Sequence, residues 1–253
     1  MITIENTKVV GFEPAIRGMR NPLNSWCKSD SGFWDVDGYY DILGEHAGEG
    51  DSVADHFLGP NDKDLMKRLA SAGKDHAKYR RMIVVYADLI APLYWWKEYD
   101  TYKVGTVANS CSTMHKIQAK EFTLDDFSSE HLEGQFSEVG RKCVVTNEEL
   151  CFKGNPNDSY DCPSALMITI GLLNKARELY LETNDKRYWW QMIQLLPSSY
   201  NQRRTVMLNY EVLANIYPAR KAHKLDEWHT FCDWIRNLPE SWIITGEERD
   251  AGE

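Results

Sequence analysis

The chain has no apolar run long enough to span a bilayer and no surplus of basic residues. A membrane-spanning helix needs about twenty consecutive apolar residues, so a membrane is not among the expected partners. Lys and Arg number 29 against 38 Asp and Glu, for a formal net charge of −9. That balance argues against a broad surface tracking nucleic-acid phosphates, while a small basic pocket for one nucleotide stays compatible with it. The opening residues, Met-Ile-Thr-Ile-Glu-Asn, lack the basic and apolar regions of a signal peptide, which makes the cytoplasm the expected location. The six cysteines (Cys27, Cys111, Cys143, Cys151, Cys162 and Cys232) form no Cys-x-x-Cys pair, and no histidine stands at zinc-finger spacing from them. The seven histidines show no His-Glu-x-x-His pattern. No metal site is expected, and the thiols are expected to be free and mostly buried. Cys111 lies in a polar run, but the sequence assigns it no base, so it is not read as a nucleophile. No internal repeat is found.

What is present can build a core. Hydrophobic residues make up 43% of the 253 and aromatics 12%, nine of them Trp, a composition for one large domain or at most two. The organising stretch is Ile90 to His115, in which an apolar run feeds a short aromatic-rich helix opening at Pro92. A polar turn follows, then a second polar run from Thr106 to His115. Apolar scaffolding that delivers donors and acceptors to one place suits a binding site. Core aromatics followed by a solvated loop is the other reading of the same residues.

Residues 1–12 read as a strand or extended arm, and Ala15 to Met19 as a helical turn carrying Arg17 and Arg20 on one face. Residues 27–60 form a long Gly-, Asp- and Ser-rich segment of the kind that is often a functional loop. Asn61-Asp62 before Leu65, Met66 and Leu69, with Gly73 behind, predicts a helix over 62–72. Met82 to Leu89 predicts a core strand, and Thr123 starts a helix signal with little behind it. Residues 128–162 are polar and turn-rich. From Pro163 to Glu182 the helical pattern is strong, with Leu166, Ile170, Leu173, Arg177 and Tyr180 on one face. Further helices are predicted over Tyr188 to Leu196, Tyr210 to Tyr217 (ended by Pro218) and Leu225 to Leu238, the last with Trp228, Phe231, Cys232 and Ile235 inward. Thr205 to Leu208 predicts a short strand. The acidic tail after Pro239 is expected to fray.

A second informative stretch runs from Leu196-Pro197 to Arg220. Asn209, Leu213, Asn215 and Arg220 follow at spacings of four, two and five. Asn209 falls at a helix entrance, where Asn is a good cap, and a capping Asn plus a surface Arg accounts for the pattern without any ligand. Together with Ile90-Ala91-Pro92-Leu93-Tyr94 and Trp96-Lys97-Glu98-Tyr99, this block resembles the flavin-dependent thymidylate synthases, over most of residues 10–238 with insertions around 27–60 and 123–162. The departures are specific. The family's Arg-His-Arg signature is replaced by Thr101-Tyr102-Lys103, its Ser-x-Arg end falls near Cys111 to Met114 with no Arg, and its phosphate-binding Arg falls near Ile193.

The resemblance implies an α/β fold of the α+β type, a small antiparallel sheet flanked by helices in a single domain. It implies FAD as cofactor, with NADPH and methylenetetrahydrofolate as co-substrates, a pyrimidine nucleotide as partner, and a homotetramer. The implied reaction is transfer of a one-carbon unit to C5 of a pyrimidine nucleotide, of the dUMP to dTMP type. Asn209, Asn215, Lys103, Tyr102 and Thr106 are implied on the cofactor side. Arg220, with Ser110, Ser112 and Arg203, is implied on the nucleotide side, Arg220 polarising the pyrimidine. The alternative is a nucleotide-binding or structural protein that keeps the fold without flavin chemistry.

Overall fold

The computed structural model describes residues 1–33, 56–132 and 162–247. Most of the two expected insertions, with Cys143 and Cys151 and the last six residues of the tail, lie outside the described residues. The fold is α/β of the α+β type, a small antiparallel sheet with helices. The four-stranded sheet has the order β1-β4-β6-β5, from β1 (Thr3–Val10), β4 (Val84–Pro92), β6 (Asn201–Asn209) and β5 (Val107–Ser110). Burial alternates along β4, with Val85, Ala87, Leu89 and Ala91 inside, as the period of two of a half-buried strand requires. A two-stranded ribbon pairs β2 (Gly32–Phe33) antiparallel to β3 (His56–Phe57). Among the described residues no helix is long and apolar enough to cross a membrane.

The chain divides into two compact units. The first takes Met1–Ile4, Asp88–Thr101 and Asn109–Thr205. It holds α3 (Leu93–Tyr99) and a helical hairpin of α4 (Cys162–Thr183) and α5 (Lys186–Leu195). The N–H groups of Leu93 and Tyr94 at the start of α3 donate to the carbonyls of Tyr200 and Ser198, both at 3.0 Å, so these orphan donors are satisfied without a capping side chain. Between α4 and α5, Asn184 takes a left-handed conformation (φ 54°), which Asn tolerates, and the Asp185 carboxylate caps α5 by accepting from the Arg187 N–H. Leu166, Ile170, Leu173 and Ala176 of α4 pack with Met192, Ile117, Phe122 and Phe127. Each fully buried side chain of this size contributes about 1.5–3 kcal/mol. The Asn174 carboxamide holds residue 122 by both backbone groups, each bond 2.8 Å.

The second unit takes Glu5–Ala87, Tyr102–Ala108 and Val206–Glu253. It contains α1 (Phe12–Arg20), α2 (Pro60–Ser71), α6 (Tyr210–Arg220), α7 (Asp226–Arg236) and α8 (Trp242–Thr245). Its most demanding feature is the Arg20–Asp62 pair, both side chains almost wholly buried. Arg20 Nε donates to Asp62 Oδ1 at 2.6 Å. Asp62 Oδ2 accepts from the Ser29 hydroxyl (2.8 Å), the Ser31 hydroxyl (2.7 Å) and the N–H groups of Asp30 and Ser31 (3.1 Å each). Burial alone pushes the Asp62 carboxyl up. The bonds from Ser31, Ser29, Arg20 and Asp30 outweigh it and hold the carboxyl below the usual carboxylate value.

Several expectations are corrected. Asn61-Asp62 do not cap α2. Gly59 is the cap position and Pro60 the first helical residue, while the Asp30 carboxylate accepts from the N–H groups of Asn61 and Asp62 (2.9 and 3.1 Å). The described ends of the 27–60 segment thus clasp a helix start. α3 begins after Pro92, which closes β4. β6 is longer than predicted, because polar side chains on its alternate positions hid its length. Pro218 does not end α6, which continues to Arg220. Pro218 deprives the Ala214 carbonyl of a donor, but the Lys221 N–H still reaches the Tyr217 carbonyl (2.9 Å) and closes the turn. The tail does not fray at Pro239, since α8 follows and buries Ile243 and Ile244. Among the described cysteines only Cys232 is buried, and Cys27, Cys111 and Cys162 are exposed.

Removing one partner of a buried ion pair strands the other, at a cost of about 3–5 kcal/mol. Asp62→Ala is expected to lose that much in urea denaturation at neutral pH. Because the folded state lowers the Asp62 pKa, the unfolded chain takes up the proton first on acidification. The contribution is therefore intact above the usual carboxylate range and lost as pH falls through the lower folded value, and the Asp62→Ala protein should lack that part of the acid transition.

Candidate functional site

The residues singled out in the sequence divide between the two units. Tyr102, Lys103, Thr106, Asn209, Asn215 and Arg220 belong to the second, and Ser110, Ser112 and Arg203 to the first.

In the second unit the organising element is α6. Asn209 is its N-cap in extended conformation, and its Oδ1 accepts from the Val212 N–H at 3.0 Å. This satisfies one orphan donor of the first turn. The cap oxygen is thereby used, and the Nδ2 group of the same carboxamide lies beside Gly105. Gly105 has φ +82°, and a Cβ built there would stand 3.1 Å from Asn209 Nδ2 and 3.0 Å from Val212 Cγ2. Only glycine takes this backbone angle so close to a neighbour without strain. Asn215 lies six residues further, about 240° around the helix. Its Nδ2 donates to the Glu211 carbonyl (2.8 Å) and its Oδ1 accepts from Lys74 Nζ (2.8 Å). The two carboxamides thus have separate surroundings.

Arg220 closes α6, about 16 Å along the axis from Asn209. Its Nε donates to the Tyr102 hydroxyl at 2.8 Å, across 118 positions of sequence. Its guanidinium carbon lies 4.5 Å from the ring centre of Trp228 and 5.4 Å from that of Tyr102. The Trp228 and Tyr102 rings meet edge to face at 6.1 Å. Trp228 is fully buried and supplies a fixed aromatic platform for the cation. His223 stands edge-on to the same indole (6.2 Å), and its Nδ1 accepts from the Leu225 N–H (3.2 Å) at the start of α7. Tyr102 and Gly105 are three residues apart, so the turn runs beside α6 from the guanidinium at its end toward the cap at its beginning. Helical side chains lean toward the N-terminus, which carries the Arg220 guanidinium back along the helix to meet it. The Thr106 hydroxyl donates to the Tyr102 carbonyl at 2.5 Å and tightens this turn. Lys103 is exposed on it.

In the first unit, Ser110 is exposed on β5, and the Ser112 hydroxyl accepts from the His115 N–H at 3.0 Å. Arg203 Nη2 donates to Asp88 Oδ2 at 3.1 Å, and its carbonyl accepts from the Cys111 N–H at 2.9 Å. Arg204, its neighbour, lies over Trp96 (4.2 Å) and pairs with Asp100 at 2.8 Å, a structural role. Sequence reasoning missed three contributors. Trp228 was read as plain core, Gly105 as part of a polar turn, and Lys74 not at all. A Gly three residues past Tyr102 and a Trp eight past Arg220 were visible, but nothing in their spacing said that they would meet α6.

No protein-family model matches the sequence, and no curated protein sequence matches it. Solved structures do. The chain is similar to the flavin-dependent thymidylate synthase ThyX from Helicobacter pylori complexed with FAD and dUMP, with a TM-score of 0.59, 14% identity, and coverage of 96% of this chain and 98% of that one. A second structure of ThyX from Helicobacter pylori with FAD and dUMP gives a TM-score of 0.57, 13% identity, and coverage of 96% of each chain. A UMP/dUMP methylase PolB from Streptomyces cacaoi bound with 5-Br dUMP gives a TM-score of 0.48 at 15% identity, covering 97% of this chain and 95% of that one. The fold expected from the sequence is the fold observed.

The cap makes a direct prediction. Asn209→Ala should cost about 1 kcal/mol in chemical denaturation. Gly105→Ala should also destabilise, by about 1–3 kcal/mol, because the new methyl group meets Val212 in a left-handed backbone.

Proposed function

We propose that this chain is a divergent member of the flavin-dependent thymidylate synthase family that binds FAD and a pyrimidine nucleotide and transfers a one-carbon unit to C5 of the pyrimidine. The observation that carries the reading is the Arg220–Tyr102 contact. It joins the two stretches whose residues resembled that family, inside a fold whose solved examples were obtained with FAD and dUMP.

Two groups near the head of α6 support the cofactor. Asn209 Nδ2 lies beside Gly105, and the Lys103 ammonium is exposed on the same turn. An amide N–H and a flexible cation suit a flavin ring edge and a diphosphate respectively. Asn209 and Lys103 would therefore hold FAD, with Thr106 keeping their turn in shape. Bound FAD would supply the reducing chemistry that completes the methyl group, with methylenetetrahydrofolate as one-carbon donor and NADPH as reductant. Asn215 bonds Lys74 and the Glu211 carbonyl with one N–H and one lone pair of its exposed carboxamide, and with the other N–H and lone pair it would add a hydrogen bond to FAD. On the nucleotide side Arg220 would bind the pyrimidine through a fixed guanidinium and favour negative charge on the ring. Ser110, Ser112 and Arg203, which belong to the other unit, are assigned to the nucleotide phosphate by the resemblance alone. A homotetramer in the cytoplasm completes the proposal.

The replacement of the Arg-His-Arg signature by Thr101-Tyr102-Lys103 favours a second reading, in which the fold binds a nucleotide without flavin chemistry. The two separate on purification. A yellow protein with near-stoichiometric flavin absorbance is expected from the first, and a colourless protein that takes up no added FAD would overturn it. Asn209→Asp keeps the capping oxygen and removes the Nδ2 donor, so FAD affinity should fall about tenfold or more while stability changes little. Arg203→Ala should weaken dUMP binding in calorimetry, and an unchanged affinity removes Arg203 from the nucleotide side.

A further inference from the structure

We infer that Tyr102 is a positioning residue for Arg220: its hydroxyl takes the Nε hydrogen and, with Trp228 beneath, fixes the plane and direction of the guanidinium that addresses a pyrimidine nucleotide. The inference rests on the reading that Arg220 binds the nucleotide, and it departs from the resemblance, which put Tyr102 on the cofactor side.

Three observations carry it. The first is the 2.8 Å bond from Arg220 Nε to the phenol oxygen. A guanidinium is planar, with Nε on one edge and the Nη pair at the other end, so anchoring Nε sets where the two-pronged end points. The second is the cation–π contact with Trp228, a side chain with no exposure whose ring centre lies 4.5 Å from the guanidinium carbon and limits its movement on that side. An arginine on a solvent-facing helix end has several rotatable bonds, and two aromatic partners restrict them before any ligand arrives. Less entropy is then lost on binding. The third is the seating of Tyr102 itself. Its backbone carbonyl accepts from the Thr106 hydroxyl, and its ring meets Trp228 edge to face, so the phenol is held by its own turn.

The role predicts a particular pattern of affinities. Calorimetric titration of the full-length protein with dUMP should give about tenfold weaker binding for Tyr102→Phe, which keeps the ring and loses only the acceptor, with a melting temperature within about 2 °C of the parent. Arg220→Lys should weaken dUMP binding by at least as much. The double variant Tyr102→Phe/Arg220→Lys should bind no worse than Arg220→Lys alone, because a lysine has no Nε fork for the phenol to orient. If Tyr102→Phe binds dUMP within twofold of the parent while Arg220→Lys is impaired, the positioning role is overturned and the proposed function stands. Additive losses in the double variant would also overturn it, since Tyr102 would then act on the ligand independently of Arg220. If the parent binds no dUMP, the proposed function falls and takes the inference with it.

Discussion

The rigid length of α6 is the constraint from which the functional geometry follows. A helix cannot stretch, so the capping carboxamide of Asn209 and the guanidinium of Arg220 are held at a fixed separation. The turn through Tyr102 to Gly105 meets both. Its two contacts differ in kind. At Gly105 the backbone comes close enough to the cap that a Cβ would press on Val212 and Asn209, while at Tyr102 a hydroxyl meets a charged donor. The same short turn therefore registers both ends of one helix.

A second constraint, electrostatic in origin, sits in the same unit. A carboxylate with no exposed surface is tolerated only when its oxygens are saturated, and Asp62 is saturated by an arginine, two hydroxyls and two backbone donors. This cluster joins α1, the 29–31 segment and α2, and Asp30 from the same segment supplies the donors' partner at the head of α2. Part of the long polar segment that looked like a functional loop is thus a structural clasp. Its polar composition is explained by the buried charge it serves, which no periodicity argument reveals.

Much of the architecture was legible in the chain because the signals were local. Apolar spacing in α4 and α7 named the residues that are buried, Leu166, Ile170 and Leu173 in one and Trp228, Phe231, Cys232 and Ile235 in the other. The Thr123 start signal produced a single capped turn and no more, as the lack of a following apolar pattern implied. Boundaries failed where a local rule was overridden. Pro218 was expected to stop α6, but one missing donor near the helix end is a small loss against the packing of Tyr217 and Ile216. The tail after Pro239 looked polar, yet Ile243 and Ile244 are enough to dock a turn of helix.

The sequence by itself determined the capping of α6 by Asn209, through propensity and spacing, and the fold class, through the family resemblance that its two informative stretches carry. Which residues of those stretches meet was decided only in three dimensions. Tyr102 and Arg220 are 118 positions apart and become partners, while Asn209 and Asn215, six apart, turn to different neighbours. Helical geometry rotates near neighbours away from each other, and chain return brings distant ones into contact. Pairing is a property of the packed chain, and the order of residues does not contain it.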